Sequence, residues 1–170
     1  MQAIESAWKE FFNQFAPYVY TEGELVDDPL NELYPRITFS YQMGDYFNQT
    51  LTTFQVWTWS HNNSQLWEVC NKISNSIQVE SGASITIPGR IFYEYRNPDT
   101  GNWIEFDIDE FQNIADMLAP NPVEWKKIEL NSAGAIEIWR GNPFLTPSPK
   151  DNPLSRVQYG TLICRYLNIK

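Results

Sequence analysis

Residues 36–43 read RITFSYQM and residues 50–59 read TLTTFQVWTW, and these two runs decide the fold class. In the first, Ile37, Phe39, Tyr41 and Met43 alternate with Arg36, Thr38, Ser40 and Gln42, which is the period of a half-buried strand. The second is rich in Thr, Val, Phe and Trp. Across the turn at Gly44 and Asp45 it is predicted to pair antiparallel with the first. Phe54 and Val56 point one way and Gln55, Trp57 and Trp59 the other. The run is therefore a central strand covered on both faces, or one with an exposed aromatic face.

Helical spacing brackets these strands. Ala3, Ile4, Ala7, Trp8, Phe11, Phe12 and Phe15 recur at intervals of three and four, predicting an amphipathic helix over 2–15 that Pro17 stops. The acidic stretch 17–35, broken by Gly23 and Pro29, is expected to be a surface connection. On the other side, Asn62 with Gln65 three residues later is a capping signal. Leu66, Val69, Cys70, Ile73 and Ile77 then mark a core-facing stripe on a second helix over 63–77.

Further on, residues 83–88 and 90–96 are strand-like, and Asn97 to Asn102 form a strong turn signal leading into a strand at 103–107. A short helix over 111–118 ends at Pro120 and Pro122. Residues 125–130 and 135–140 are predicted to be a second hairpin turned at Ser132, Ala133 and Gly134, and 156–168 the last strand. Pro143, Pro147, Pro149 and Pro153 make 141–155 an extended arm or loop. The sum is one α+β domain over 1–170: a mixed, mainly antiparallel β-sheet flanked by an N-terminal helix and a second helix, with additional β-hairpins. No internal repeat or low-complexity tract appears.

Composition excludes several classes. The 170 residues are 42% hydrophobic and 15% aromatic, too apolar for a disordered chain. Against 21 acidic residues stand 12 basic ones, a net charge of −9, which argues against a nucleic-acid clamp. No apolar run approaches the roughly 18 residues of a membrane span, and Met1 to Glu5 carry no export signal. A soluble, unexported protein is expected. Cys70 and Cys164 sit inside apolar patterns and are expected to be reduced core thiols.

Catalytic chemistry finds little purchase. His61 is the only histidine, so a two-histidine metal site is excluded, and its place before a helix suits a cap or surface role. Glu105, Asp107, Asp109 and Glu110 crowd together, but lack the glycine and terminal glutamate of a calcium loop. With no Lys or Arg between Arg96 and Lys126, a solvated acidic face is expected there. No phosphate-cradling loop, nucleophile elbow or zinc-type cysteine pair occurs. No catalytic, cofactor or metal residue is assigned, and a protein that is not an enzyme is expected. The aromatic surplus, Trp57 and Trp59 above all, belongs to core, to a subunit interface or to a sugar-stacking platform.

An opening amphipathic helix, then Tyr34-Pro35-Arg36-Ile37-Thr38-Phe39 entering a strand, then Phe54-Gln55-Val56-Trp57-Thr58-Trp59-Ser60 running into a helix with Leu66, Val69, Ile73 and Ile77, resembles the tail-terminator (tail-completion) proteins of long-tailed bacteriophages. The resemblance covers roughly residues 1–80, and Val56 to Ser60 form an imperfect version of that family's Val-x-Val-Trp-Ser-like run. It implies a virion protein, assembled in the host cytoplasm, that forms a ring, commonly of six copies, on the head-proximal end of the tail tube. Such a ring stops tube growth and meets the head–tail connector and neck proteins. The C-terminal half is longer than in the shorter members, which leaves terminator, another neck ring, and tube or baseplate component open.

Charge adds an argument for head-to-tail contact. Residues 1–35 carry −6 and residues 141–170 carry +3, the opposite signs that heterologous joining of identical subunits needs. Candidate subunit or tube contacts are Trp57, Trp59, Phe144, Leu145, Arg156 and Arg165, with the arm 141–155 expected to reach a neighbour. Glu105, Asp107, Asp109 and Glu110 are candidates for an acidic lumen through which genome DNA passes without being held. The alternative expectation is a carbohydrate-binding or host-recognition module, using exposed Trp57, Trp59, Trp103 or Trp139.

Overall fold

The computed structural model of the chain describes residues 2–25, 33–43, 49–147 and 155–169. They divide into two compact units, 1–87 with 134–170, and 88–133.

In the first unit, helix α1 (Gln2–Asn13) leads through two further turn hydrogen bonds, from Phe15 and Ala16 to the Phe12 carbonyl. Strands β1 (Tyr18–Thr21), β2 (Arg36–Ser40) and β3 (Thr50–Trp59) precede helix α2 (Asn63–Ser76). Strand β4 (Ala83–Pro88) closes this half. The second unit carries β5 (Ile91–Arg96), β6 (Trp103–Phe106), α3 (Phe111–Leu118) and β7 (Trp125–Glu129). The chain then returns as β8 (Ser132–Arg140), the two-residue β9 (Thr146–Pro147) and the long β10 (Ser155–Leu167). The fold is α+β with mainly antiparallel sheets. A seven-stranded sheet has the order β1-β2-β3-β10-β8-β4 with β9 beside β10, and a three-stranded sheet has the order β6-β5-β7.

Pairing of β3 with β10 sets the frame. It runs unbroken from Ser155 opposite Trp59 to Cys164 opposite Thr50. On one face lie Phe39, Phe54, Ile138 and Leu162, each with no exposed surface. Helix α1 lands there because its apolar stripe matches: Phe12 stacks against Phe39 at 5.2 Å and Phe54 at 5.5 Å. Each such buried side chain contributes about 1.5–3 kcal/mol. Trp8, fully buried, gives its indole N–H to the Tyr166 hydroxyl at 3.1 Å. Helix α2 covers the same face through Leu66, Val69, Cys70 and Ile73. Its N-terminus is capped by the Asn62 side chain, which accepts from the Gln65 amide at 3.1 Å. Its last carbonyls are held by Arg140, whose guanidinium donates to Ile77 and Ser74 at 2.8 and 2.6 Å.

Several expectations change. The stretch 17–35 is not only a connection, since β1 pairs parallel with β2 from Tyr18 opposite Arg36 onward. That pairing, with the rings around Arg36, buries β2 on both faces, so the strand is not half-buried and stops at Ser40. Residues 125–130 and 135–140 do not form a hairpin: β7 pairs with β5 and β8 with β10, in different sheets. Within the arm 141–155, Thr146 and Pro147 pair with Tyr159 and Gln158, while 148–154 lie outside the described residues.

Two stability tests follow. A Cβ added to Gly160 would sit 2.5 Å from the Phe54 ring, so Gly160→Ala is expected to cost about 1–3 kcal/mol by overpacking. Urea unfolding measures this, and Phe54→Leu in the same chain should recover part of it. Burial also pushes the Cys70 and Cys164 thiols up to about 11 and the Tyr166 hydroxyl up to about 12, from ordinary values of 9.0 and 10.0. The folded state favours the protonated forms, so their stabilisation is complete below pH 9.0 and is lost as pH rises towards 11 and 12. The unfolding midpoint should fall over that window, and Tyr166→Phe should flatten its upper part.

Candidate functional site

The face of the seven-stranded sheet opposite α1 and α2 carries no helix from the first unit and is built of aromatic and polar side chains. Alternation explains its content. Residues paired with Trp57 and Gln55 are Arg36 and Thr38, and those paired with Arg36 and Thr38 on β1 are Tyr18 and Tyr20. All therefore project to one side.

A stacked row runs along this face. Trp59 lies 6.3 Å from the His61 ring and 4.5 Å from the Tyr34 ring. Tyr34 and Trp57 enclose the Arg36 guanidinium, whose carbon is 4.9 Å and 4.5 Å from the two ring centroids. The Trp57 indole N–H donates to Thr38 Oγ1 at 2.9 Å. Arg36 is only 5% exposed, and burial lowers its pKa from the usual guanidinium value. A desolvated cation between two rings gains about 2 kcal/mol from their quadrupoles, which offsets part of its burial cost. Trp57 and Trp59 remain half-exposed. Farther along the face, Arg165 pairs with Glu137 at 2.7 Å and lies 5.8 Å from the Trp139 ring.

The helix-covered face has a groove of about 530 Å³ between α2 and β10. Leu66, Cys70, Leu145 and Pro147 supply its apolar lining, and Asn63, Asn71, Ser74, Arg156 and Gln158 its polar part. Trp67 at its lip is 68% exposed. Phe144 packs beside it, 6.3 Å from Phe54 and under the Arg140 guanidinium at 4.8 Å.

The interface candidates therefore fall on two surfaces: Trp57, Trp59 and Arg165 on the open face, Phe144, Leu145 and Arg156 at the groove. Tyr34, Arg36 and Trp67 are additions that the sequence reading left out. Arg36 reads as one more outward polar residue in an alternating strand, and only the flanking Tyr34 and Trp57 hint at an enclosed cation. Trp67 lies off the apolar stripe of α2, and a tryptophan at a helix position facing water is itself the signal.

In the second unit the carboxylates are engaged locally. Glu105 receives two hydrogen bonds from Arg90, at 2.5 and 3.2 Å, which lower its pKa. Asp107 caps the following turn by accepting from the Asp109 amide at 3.1 Å. Glu110 accepts from Asn113 at 2.7 Å. The tract without Lys or Arg in sequence thus meets a cation from β5's leading edge. Asp109 and Glu110 stay exposed. Among the described residues no group of three His, Cys, Asp or Glu is placed to hold a metal ion, and no helix is long and apolar enough to cross a membrane.

Arg36→Lys should test the enclosed cation, because an ammonium cannot stack flat between two rings. A loss of about 1–2 kcal/mol is expected in urea unfolding, with altered tryptophan emission from Trp57. Comparison with protein-family models, with curated proteins and with solved structures returned no match.

Proposed function

We propose that the chain is a virion structural protein, the subunit of a ring that caps the head-proximal end of a bacteriophage tail tube and joins the tail to the neck. The open face of the seven-stranded sheet is the observation that carries this reading. It presents Tyr34, Trp57 and Trp59 half-exposed around a buried Arg36, a combination that protein interfaces favour at their centres. The face is spread over strands instead of gathered into a cleft, which suits a protein partner better than a small ligand. The resemblance of residues 1–80 to tail terminators supplies the kind of partner: further copies of the chain, the tail tube protein and the neck.

Surfaces of different character on one subunit also fit a ring. An aromatic sheet face and an arginine-bearing groove can meet different partners, and repeated heterologous contacts between copies close into rings.

The runner-up is a carbohydrate-binding or host-recognition module, favoured by the exposure of Trp67 and by Trp103, which is 37% exposed.

Native mass over a range of concentrations, alone and with the tube protein of the same particle, tests the reading. A closed ring, alone or on the tube, is the expected result, and Trp59→Ala should weaken seating on the tube about tenfold or more without unfolding the monomer. A monomer indifferent to tube and concentration, whose tryptophan emission changes on glycan titration, would move the assignment to the runner-up.

A further inference from the structure

The unit 88–133 does not complete its own core. Its only buried hydrophobic residues are Tyr95, Phe106 and Ala133, while Ile108 and Met117 are 41% and 65% exposed. Helix α3 has the stripe Phe111, Ile114 and Leu118 on one side, yet none of its residues is buried. Phe111 of that stripe packs on the unit's own sheet, 6.2 Å from Phe106 and 5.8 Å from Trp125, so the apolar face left open for a cover is the one that Met117 and Ile108 present. That face has a charge signature. Asp107, Asp109, Glu110 and Asp116 neighbour Ile108 and Met117 in sequence, all exposed, and no Lys or Arg lies between Arg96 and Lys126.

The α2–β10 groove is the counterpart. It is concave, with Leu66, Trp67, Leu145 and Pro147 offering apolar contact, and among the described residues no acidic side chain lines it. Its cation, Arg156, is exposed and makes neither an ion pair nor a hydrogen bond among the described residues. By contrast Lys9, Lys72, Arg90, Arg96, Lys126, Lys127 and Arg165 are all paired with carboxylates. In a chain of net charge −9, an apolar groove holding an arginine that has no partner among the described residues suits an acidic, apolar-tipped occupant.

We infer that the α3 end of one copy seats in the α2–β10 groove of a second copy, with Met117 and Ile108 against Trp67 and Leu145 and the surrounding carboxylates facing Arg156. The chain carries both halves of the contact on different surfaces, so repeating it runs head to tail and closes into a ring. The inference rests on the ring reading above and names its repeating contact.

The full-length chain is tested with benzoylphenylalanine, a photo-reactive residue, in place of Met117, mixed with isotope-labelled wild type. The expected products are crosslinks between labelled and unlabelled chains that map to 63–74, 145–147 or 155–158. In parallel, Arg156→Glu should raise the concentration for half-assembly about tenfold or more, and adding Asp109→Lys with Asp116→Lys should bring it back. Circular dichroism of each variant separates lost contact from lost fold, and the photo-crosslink stands independently of the charge variants. Rings that form while crosslinks stay within one chain, or map elsewhere, overturn this contact and leave the ring reading in place. Failure to assemble alone or with tube protein overturns both.

Discussion

Phe54 lies over Gly160, and the missing Cβ at that position lets a fully buried ring rest directly on the neighbouring strand. From this contact the first unit is organised. With Phe54 held low against β10, Phe12 and Phe39 can close over it from α1 and β2, and Phe144 approaches from the segment after β8. Four elements distant in sequence therefore meet around one ring. The long β3–β10 pairing gains its position from that meeting, because a slip by one residue would turn every core side chain to the other face. A side chain at Gly160 would lift the ring and separate the layers.

Placing both helices of the first unit on one face leaves the other to be satisfied differently. The sheet does so with a row of rings, hydroxyls and one guanidinium. Arg36 is the most demanding member, since a cation with so little solvent contact needs enclosing rings. The resulting surface is ordered and apolar but still half-open, the physical condition that makes a partner favourable. The groove on the opposite side has another chemistry, with amides, one arginine and an exposed tryptophan. In the proposed ring the groove takes the α3 end of a neighbouring copy, which leaves the aromatic face for the tube.

Much of this was legible in the amino-acid sequence, and the exceptions are instructive. Alternation at 36–43 and 50–59, the stripe of α1, the Asn62 cap and the turn at Asn97–Asn102 are local signals, and each marks an element that is present, although the first strand ends at Ser40. What escaped was pairing. Tyr18 to Thr21 is a strand because β2 offers an edge for parallel pairing, a partner that follows only after residues 22–35. Trp125 to Glu129 and Ser132 to Arg140 look like a hairpin from spacing alone, yet each finds a better partner elsewhere, in β5 and in β10. The division at 88–133 escaped for the same reason, since its three strands pair only with one another. Of the candidate site, Trp57, Trp59, Leu145 and Arg156 were visible by type and position. The enclosure of Arg36 was not, because it depends on Tyr34 and Trp57 being brought to either side of it by β2–β3 pairing.

Electron microscopy of isolated tail tubes mixed with the purified chain tests the central claim most directly. The account predicts one ring at one end of each tube, the end that joins the head, and tubes that no longer lengthen when more tube protein is added. Chains spread along the tube wall, seated at the distal tip, or absent from tubes that go on growing would contradict it.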